Sequence, residues 1–335
     1  MKPKLTIGIP VHNGMPYLAE TVESVQSQTY GDFEILVIDD GSKDDTREYL
    51  LSLRDQRLRL ISQQNQGLTT TLNRMLEECR TPWLVRLDAD DIALPHRLAR
   101  VAEAIEQWPD AGMFYSRAKH HDHANSVSLV RTSEGNPSQL REQTLRGYLL
   151  SICHSSVVLN ARKTLDAGGY RFDYKIEDLD LWWRMALRHD VVFIPDVTVA
   201  YRLNSTSICI NNLRDVARNS LFVQYLLLSQ LWDRPAMTYA EVRPILDSIL
   251  DERKLQYRER MWKAAICMSN RQYRQAAMHM VVAAKTSPGR FLNRCSYPVR
   301  KNTMIRVGES PAEFQKVSDL LWPSRMPATY ATANI

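Results

Sequence analysis

Carboxylates crowd three short stretches of this chain in patterns that suit metal and phosphate chemistry. Asp88, Asp90 and Asp91 fall within Leu87-Asp88-Ala89-Asp90-Asp91. Asp39 and Asp40 open Asp39-Asp40-Gly41-Ser42, and Glu177 and Asp178 stand together before Leu179-Asp180-Leu181-Trp182. A polar group, Pro10, His12 and Asn13, follows the apolar segment Leu5–Ile9. Like charges a few ångströms apart repel and raise each other's pKa. A hard divalent cation relieves this, and Mg²⁺ takes one or two carboxylates together with substrate phosphates. Each stretch also has a plainer use. Acids favour helix starts, which suits both Asp88–Asp91 and Glu177-Asp178, and Asp-Gly pairs make turns.

The elements that must position these residues are legible in the hydrophobic pattern. Strands are expected at Leu5–Ile9, Phe33–Asp39, Arg57–Ile61, Trp83–Leu87 and Ala111–Ser116. Helices are expected between them at 16–26, 44–53, 68–78 and 95–107, the last opened by Pro95. Phe33–Asp39 is a continuous apolar run ending in acids, as in a buried parallel strand. Strands alternating with helices of this length predict an α/β fold with a mostly parallel, doubly wound sheet. In such sheets ligands bind at the carboxyl ends of the strands, where three strands would deliver the polar clusters. Residues 120–144 read as polar and irregular, Ser155–Leu159 and Val191–Ile194 as strands, and Asp178–Arg188 as a helix. Beyond about residue 210 only helices are expected, one of them with Tyr273, Ala276, Ala277, Met280, Val281 and Ala284 at helical spacing. The predicted organisation is a catalytic domain over 1–210, a basic helical region over 211–322 and a tail over 323–335.

The clusters in their order and spacing carry more than any one alone. Ile7-Gly8-Ile9-Pro10-Val11-His12-Asn13, Ile38-Asp39-Asp40-Gly41-Ser42 and Leu87-Asp88-Ala89-Asp90-Asp91, with Leu94-Pro95 and Arg97-Leu98, resemble the family 2 glycosyltransferases of the GT-A fold. Ile176–Trp182 resembles that family's acceptor-side acidic motif, and the agreement extends over roughly residues 4–205. The resemblance implies an inverting transfer of sugar from a nucleotide-sugar, a UDP-sugar first, to an acceptor hydroxyl on a glycan or lipid-linked glycan. It implies that Pro10, His12 and Asp40 line the nucleobase pocket, with Asn13 beside them and Asp39 supporting the turn. Asp88 and Asp90 form the DxD motif. Of Asp88, Asp90 and Asp91, one would reach the ribose and one or two would bind Mn²⁺ or Mg²⁺, with Asp90 and Asp91 favoured for the metal and Asp88 for the sugar side. The resemblance implies that Asp178 would be the general base, a role worth about 10²–10⁴-fold. His154 matches a histidine near the diphosphate or acceptor, and Arg202 could meet phosphate. The sequence departs from the family pattern at His12, where many relatives have Tyr, and at Asn204, where many have His.

Charge adds a separate expectation. From Arg253 to Arg306 there are thirteen Lys or Arg and one acid, Glu259, so this stretch carries +12 of a net +5 and the remainder −7. A basic region on an acidic body predicts an anionic partner, a membrane surface, a phosphorylated lipid or nucleic acid, or else a solvated helical face. Tyr257, Trp262, Tyr273 and Phe291 interleave with the basic residues as in single-strand binders, but several sit at core spacing, which disfavours nucleic acid. A nucleotidyltransferase-like enzyme would need a Gly- and Arg-rich phosphate loop, and residues 8–16 contain no basic residue besides His12. No secretory signal stands before Leu5. The five widely spaced cysteines contain no CxxC and predict neither a disulfide framework nor a zinc site. The expectation is a cytoplasmic protein, at the inner face of the membrane where its basic region meets lipid.

Overall fold

The computed structural model describes residues 4–121, 129–171, 176–202 and 212–296. Asn204, Cys209 and the expected tail 323–335 lie outside them. The chain divides into two compact units. The first comprises Met1–Arg141, Leu150–Asp173 and Asp180–Leu203, and the second Glu142–Leu149, Tyr174–Leu179 and Asn204–Ile335. Two short stretches before residue 203 thus group with the helical part.

The first unit is built on an eight-stranded sheet: β1 (Leu5–Val11), β2 (Phe33–Asp40), β3 (Leu58–Gln63), β4 (Trp83–Arg86), β5 (Ile92–Ala93), β6 (Met113–His121), β7 (Val157–Asn160) and β8 (Val191–Arg202), in the order β3-β2-β1-β4-β7-β6-β8-β5. The run β3-β2-β1-β4 is parallel. Beyond it the sheet is mixed: β7 runs antiparallel to β4 and β6, β8 is parallel to β6, and β5 is antiparallel to β8. The reversal places the start of β7, and so Ser155 just before it, beside the carboxyl end of β4.

Helices α1 (Leu18–Gln26), α2 (Thr46–Ser52), α3 (Leu68–Glu78) and α4 (Arg97–Gln107) make the crossovers. Each buries a stripe at helical spacing, such as Leu72, Met75 and Leu76 of α3 or Leu98, Val101, Ala102 and Ile105 of α4. α4 starts two residues after Pro95, with His96 at its cap. α3 lies so close to β1 that a Cβ at Gly8 would stand 2.3 Å from Met75 Sδ. The core includes Leu5, Ile7, Ile9, Ile35, Val37, Val85, Phe114 and Val158, and Trp83 meets Phe114 edge-on at 5.2 Å. Buried apolar strands of this kind hold the sheet rigid, and its carboxyl edge is where the acids emerge.

Three elements escaped the sequence reading: α5 (Pro137–Leu145) and α6 (Ala161–Asp166), both short, and the two-residue β5. β8 runs eight residues past the expected strand, through Pro195 and Asp196, because an edge-on bulge opposite Ser116–Ala118 absorbs the proline. α7 (Glu177–Arg188) has Arg184 and Arg171 on the wholly buried Asp180, and its Trp182 is fully buried. Trp182 and the adjacent Trp183, also buried, therefore pack the interior.

The second unit contains α8 (Leu213–Leu231), α9 (Tyr239–Ile249), α10 (Glu252–Ser269), α11 (Tyr273–Thr286) and α12 (Pro288–Ser296). Among the described residues it has no strand, and no helix is long and apolar enough to cross a membrane. Leu221, Phe222 and Tyr225 of α8 pack with Val242, Leu246 and Ile249 of α9. Cys79, Cys153 and Cys267 are free thiols.

Candidate active site at the carboxyl edge of the sheet

β1 and β2 end side by side, and their extensions are stitched together. The Asn13 backbone, held at φ 54°, donates to Ser42 Oγ at 2.9 Å, and the Lys43 N–H returns a bond to Asn13 Oδ1 at 2.8 Å. Asp39 Oδ1 accepts the Ser42 N–H at 2.9 Å. Gly41 turns the chain at φ +72°, where a Cβ would lie 2.8 Å from the Asn65 nitrogen. Exposed His12 bonds the Asp40 carbonyl through Nδ1 at 2.8 Å. Asn13 Nδ2 lies 3.1 Å from its Nε2, and Asn65 Nδ2 lies 3.1 Å from Nδ1. The ring is fixed in one orientation and stays open to solvent, while Pro10 is buried in β1.

Asp40 has a different setting. It is buried, and its carboxylate accepts Gln63 Nε2 at 2.7 Å, the Gln66 N–H at 2.8 Å and the Gly67 N–H at 3.0 Å. Gly67 caps α3, so this carboxylate serves the otherwise orphaned donors at the start of that helix. A base contact by Asp40 would have to share an oxygen already in use.

The second cluster hangs from β4. Asp88 keeps 31 % side-chain exposure, Asp90 is half-buried, and Asp91 has none. Ser155 gathers them. Its hydroxyl lies 2.8 Å from Asp88 Oδ2, in short contact with Asp91 Oδ2, and accepts the Asp88 N–H at 3.1 Å. The other Asp91 oxygen accepts the Arg202 N–H at 2.8 Å. Arg86, buried at the end of β4, pairs with Asp88. Buried Arg97 holds the carbonyls of Arg86 at 2.7 Å and Ser155 at 2.6 Å, and burial pulls its pKa down to about 10. Arg202 donates through Nε to the Asp90 carbonyl at 2.9 Å, pairs with Glu20, and lies 4.7 Å over the Tyr17 ring. His154 Nε2 stands 2.9 Å from the Tyr170 hydroxyl, with Trp182 edge-on at 5.4 Å.

The electrostatics separate these carboxyls. Burial pushes Asp88 up, but the Arg86 charge and hydrogen bond outweigh it and hold Asp88 below the ordinary range. Burial and the charge of Asp88 raise Asp90 to about 6. Burial, then Asp88 and Asp90, drive Asp91 well above the ordinary carboxylate range. Burial and Arg86 push His154 well below its usual value, so the ring is neutral. A turn with this much unrelieved negative charge attracts either protons or a cation.

Residues 6–169 match the model of glycosyl transferase family 2. That stretch, just under half of the chain, carries the family's pattern. It is 28 % identical over 192 residues to the amylovoran biosynthesis glycosyltransferase AmsE of Erwinia amylovora, covering 56 % of this chain and 71 % of AmsE. Matches to curated proteins of Mycobacterium tuberculosis and Nostoc span 65 % and 45 % of their lengths. The fold is that of the S. aureus protein TarS, solved with UDP-GlcNAc, at a TM-score of 0.56 and 15 % identity over 85 % of this chain and 92 % of the other. It is also that of the mannosyltransferase PcManGT from Pyrobaculum calidifontis, solved with GDP-Man and Mn²⁺, at 0.52 and 17 %, covering 97 % of this chain and 89 % of the other. These are GT-A glycosyltransferases, and the mixed α/β sheet here has their architecture.

Within that family frame, Pro10, His12, Asn13, Asp39 and Asp40 assemble at one part of the sheet edge, and Asp88, Asp90, Asp91, His154 and Arg202 at the end of β4. Asp178 belongs to the second unit; it opens α7 half-buried, with Oδ1 accepting the Leu179 N–H at 2.8 Å. Among the described residues no three Asp, Glu, His or Cys side chains are arranged as a metal site. Asp88 and Asp90, both half-buried, offer hard oxygen donors, enough for a cation that completes its shell with phosphates. Asp91, expected as a metal ligand, is fully buried with both oxygens engaged. Ser155, Arg86 and Arg97 went unassigned in the sequence. A lone arginine inside the apolar strand Trp83–Leu87 was the available signal for Arg86. Ser155 had none.

Proposed function

We propose that this chain transfers a sugar from a nucleoside-diphosphate sugar to an acceptor hydroxyl with inversion. The observation that carries the reading is the half-buried pair Asp88 and Asp90 at the end of β4, in a chain that matches family 2 over residues 6–169, backed by buried Arg86 and Arg97. The acceptor oxygen attacks the anomeric carbon, its proton goes to Asp178, and the bond from that carbon to the diphosphate oxygen breaks as the nucleoside diphosphate leaves. Asp178 holds this role through its place in the acidic motif at the start of α7. His12 offers a planar ring beside the base, and Arg202 a cation beside the acid turn. Asp88 and Asp90 would hold Mn²⁺ or Mg²⁺ bound with the diphosphate, and that ion would offset the leaving charge as a Lewis acid. Asp91 then acts as the buried anchor of the turn.

UDP is the favoured nucleotide, and the acceptor a glycan or lipid-linked glycan at the cytoplasmic face of a membrane, in keeping with the relative that builds amylovoran. A thermal-shift panel of UDP, GDP, dTDP and CMP, with and without Mn²⁺, tests this. A ligand of the native state raises its melting temperature by mass action. Stabilisation by UDP that needs Mn²⁺ is expected. A response to GDP alone would change the donor, and no response to any nucleotide would refute the reading.

A further inference from the structure

Helix α11 carries an apolar stripe whose larger members are exposed. Ala276 and Ala283 are fully buried against α10, but Tyr273 is 61 %, Met278 68 %, Val281 54 % and Val282 40 % exposed. Of the residues expected to form one packing face, Tyr273 and Val281 therefore point outward. At 100° per residue, Arg274, Met278, Val281 and Lys285 fall on one face, opposite Ala276 and Ala283. The helix spans about 21 Å. Neither Arg274 nor Lys285 makes an ion pair among the described residues, and both are exposed.

The surroundings are uniformly cationic. From Arg260 to Ser296 the chain has seven Lys or Arg and no Asp or Glu. Lys263 and Arg290 are paired with Glu259 and Asp251, but Arg260, Arg271, Arg274 and Lys285 have no acid partner among the described residues. His279 feels this field: burial, then Arg260 and Lys263, hold it below its usual pKa.

The geometry points to α11 as an interfacial helix that docks the protein on an anionic lipid bilayer, with Met278, Val281 and Val282 entering the headgroup–acyl boundary and Arg274 and Lys285 meeting lipid phosphates. Aliphatic side chains between cations suit a bilayer, where apolar area and anionic attraction add. A nucleic acid would reward stacking rings in their place. The inference is independent of the transferase reading, since it concerns a separate surface and needs no nucleotide.

Flotation of the full chain with phosphatidylcholine vesicles, with and without phosphatidylglycerol, tests it, with far-UV circular dichroism and solution mass on every variant. Binding is expected only with phosphatidylglycerol, weakening as salt rises. Arg274→Glu/Lys285→Glu alters exposed side chains only and should weaken partitioning by at least about 25-fold, at about fivefold per cation removed. Met278→Asp/Val281→Asp should weaken it about tenfold or more while the helix content is kept. Absence of binding to anionic vesicles overturns the proposal. So does unchanged binding by both double variants, which would place the contact elsewhere. Binding of single-stranded DNA without vesicle binding would assign the surface to nucleic acid. A fall in solution mass for Met278→Asp/Val281→Asp, again without vesicle binding, would assign it to a second copy of the chain.

Discussion

Asp90→Asn should make the metal-free protein more stable at neutral pH while abolishing transfer. In the folded state burial and Asp88 raise the Asp90 carboxyl from 3.8 to about 6. The folded state therefore binds this proton more tightly than the unfolded chain. Stability from this group is fully present below about pH 3.8. It is lost as pH rises toward 6, at about 1.4 kcal/mol per pH unit, and is flat above. The whole span is about 3 kcal/mol. Partial exposure of Asp90 lets solvent screen some of it, leaving about 2–3 kcal/mol. Asparagine carries no charge and removes that penalty.

The assay is denaturant unfolding of wild type and Asp90→Asn without metal, at a series of pH values, following the first cooperative transition. The variant should gain about 2–3 kcal/mol near pH 7.5, and the gap should close near pH 4. Mn²⁺ should then stabilise the wild type and leave the variant unmoved, because the cation relieves the same repulsion. An Asp90→Asn protein no more stable than wild type at pH 7.5 would falsify the charge argument. A gap that persists unchanged at pH 4 would trace the gain to packing instead.

The other predictions concern the residues around this turn. Ser155→Ala removes the hydroxyl shared by Asp88 and Asp91 and should cost about 2–4 kcal/mol in urea unfolding, since it strands buried polar groups; an effect below about 0.5 kcal/mol would mean the hydroxyl is dispensable. Arg97→Met leaves the Arg86 and Ser155 carbonyls without their donor and should lower the melting temperature by several degrees. Gly41→Ala forces a side chain into positive φ against Asn65 and should weaken nucleotide binding about tenfold or more by titration calorimetry, with unchanged affinity as the contrary result. Asp178→Asn should reduce transfer by about 10²-fold or more while the melting temperature stays within a few degrees; full transfer by that variant would reassign the base.

How much of this was legible follows from where each signal lies along the chain. β1, β2, β4 and α3 were readable because the apolar runs Leu5–Ile9 and Phe33–Asp39, and the Leu72-Met75-Leu76 spacing, are local patterns with one geometric solution. The acids at the strand ends were readable for the same reason. The sheet's reversal was not, because antiparallel pairing of β7 with β4 joins Val85 to Val158, seventy-three residues apart, and nothing in either strand encodes direction. Asp40 shows the limit for a side chain: its motif placed it at the right edge, but its donors at Gln66 and Gly67 come from another loop. The stripe on α11 was seen as a period, and its exposure depended on a partner helix that periodicity alone does not supply.

Ser155 explains why the acid cluster could be located from sequence but not understood. A serine hydroxyl has one proton and two acceptor sites. Here it faces the Asp88 N–H, a longer contact from Arg86 Nη1 at 3.3 Å, the Asp88 carboxylate and the Asp91 carboxyl. One proton cannot serve two carboxylates. If Asp91 is protonated, its carboxyl donates to the hydroxyl and the Ser155 proton passes to Asp88, so both bonds form. That is the state favoured by the raised Asp91 and the lowered Asp88. Arg86 completes it by pairing with Asp88. The three adjacent acids are thus not equivalent. One is a buried anchor that burial and its two neighbours push toward holding a proton, one is a charge held by arginine, and Asp90 is raised to about 6. The sequence Asp88-Ala89-Asp90-Asp91 contains no trace of that division, because it is imposed by a serine and two arginines that reach the turn from β4, from the start of α4 and from the chain before β7.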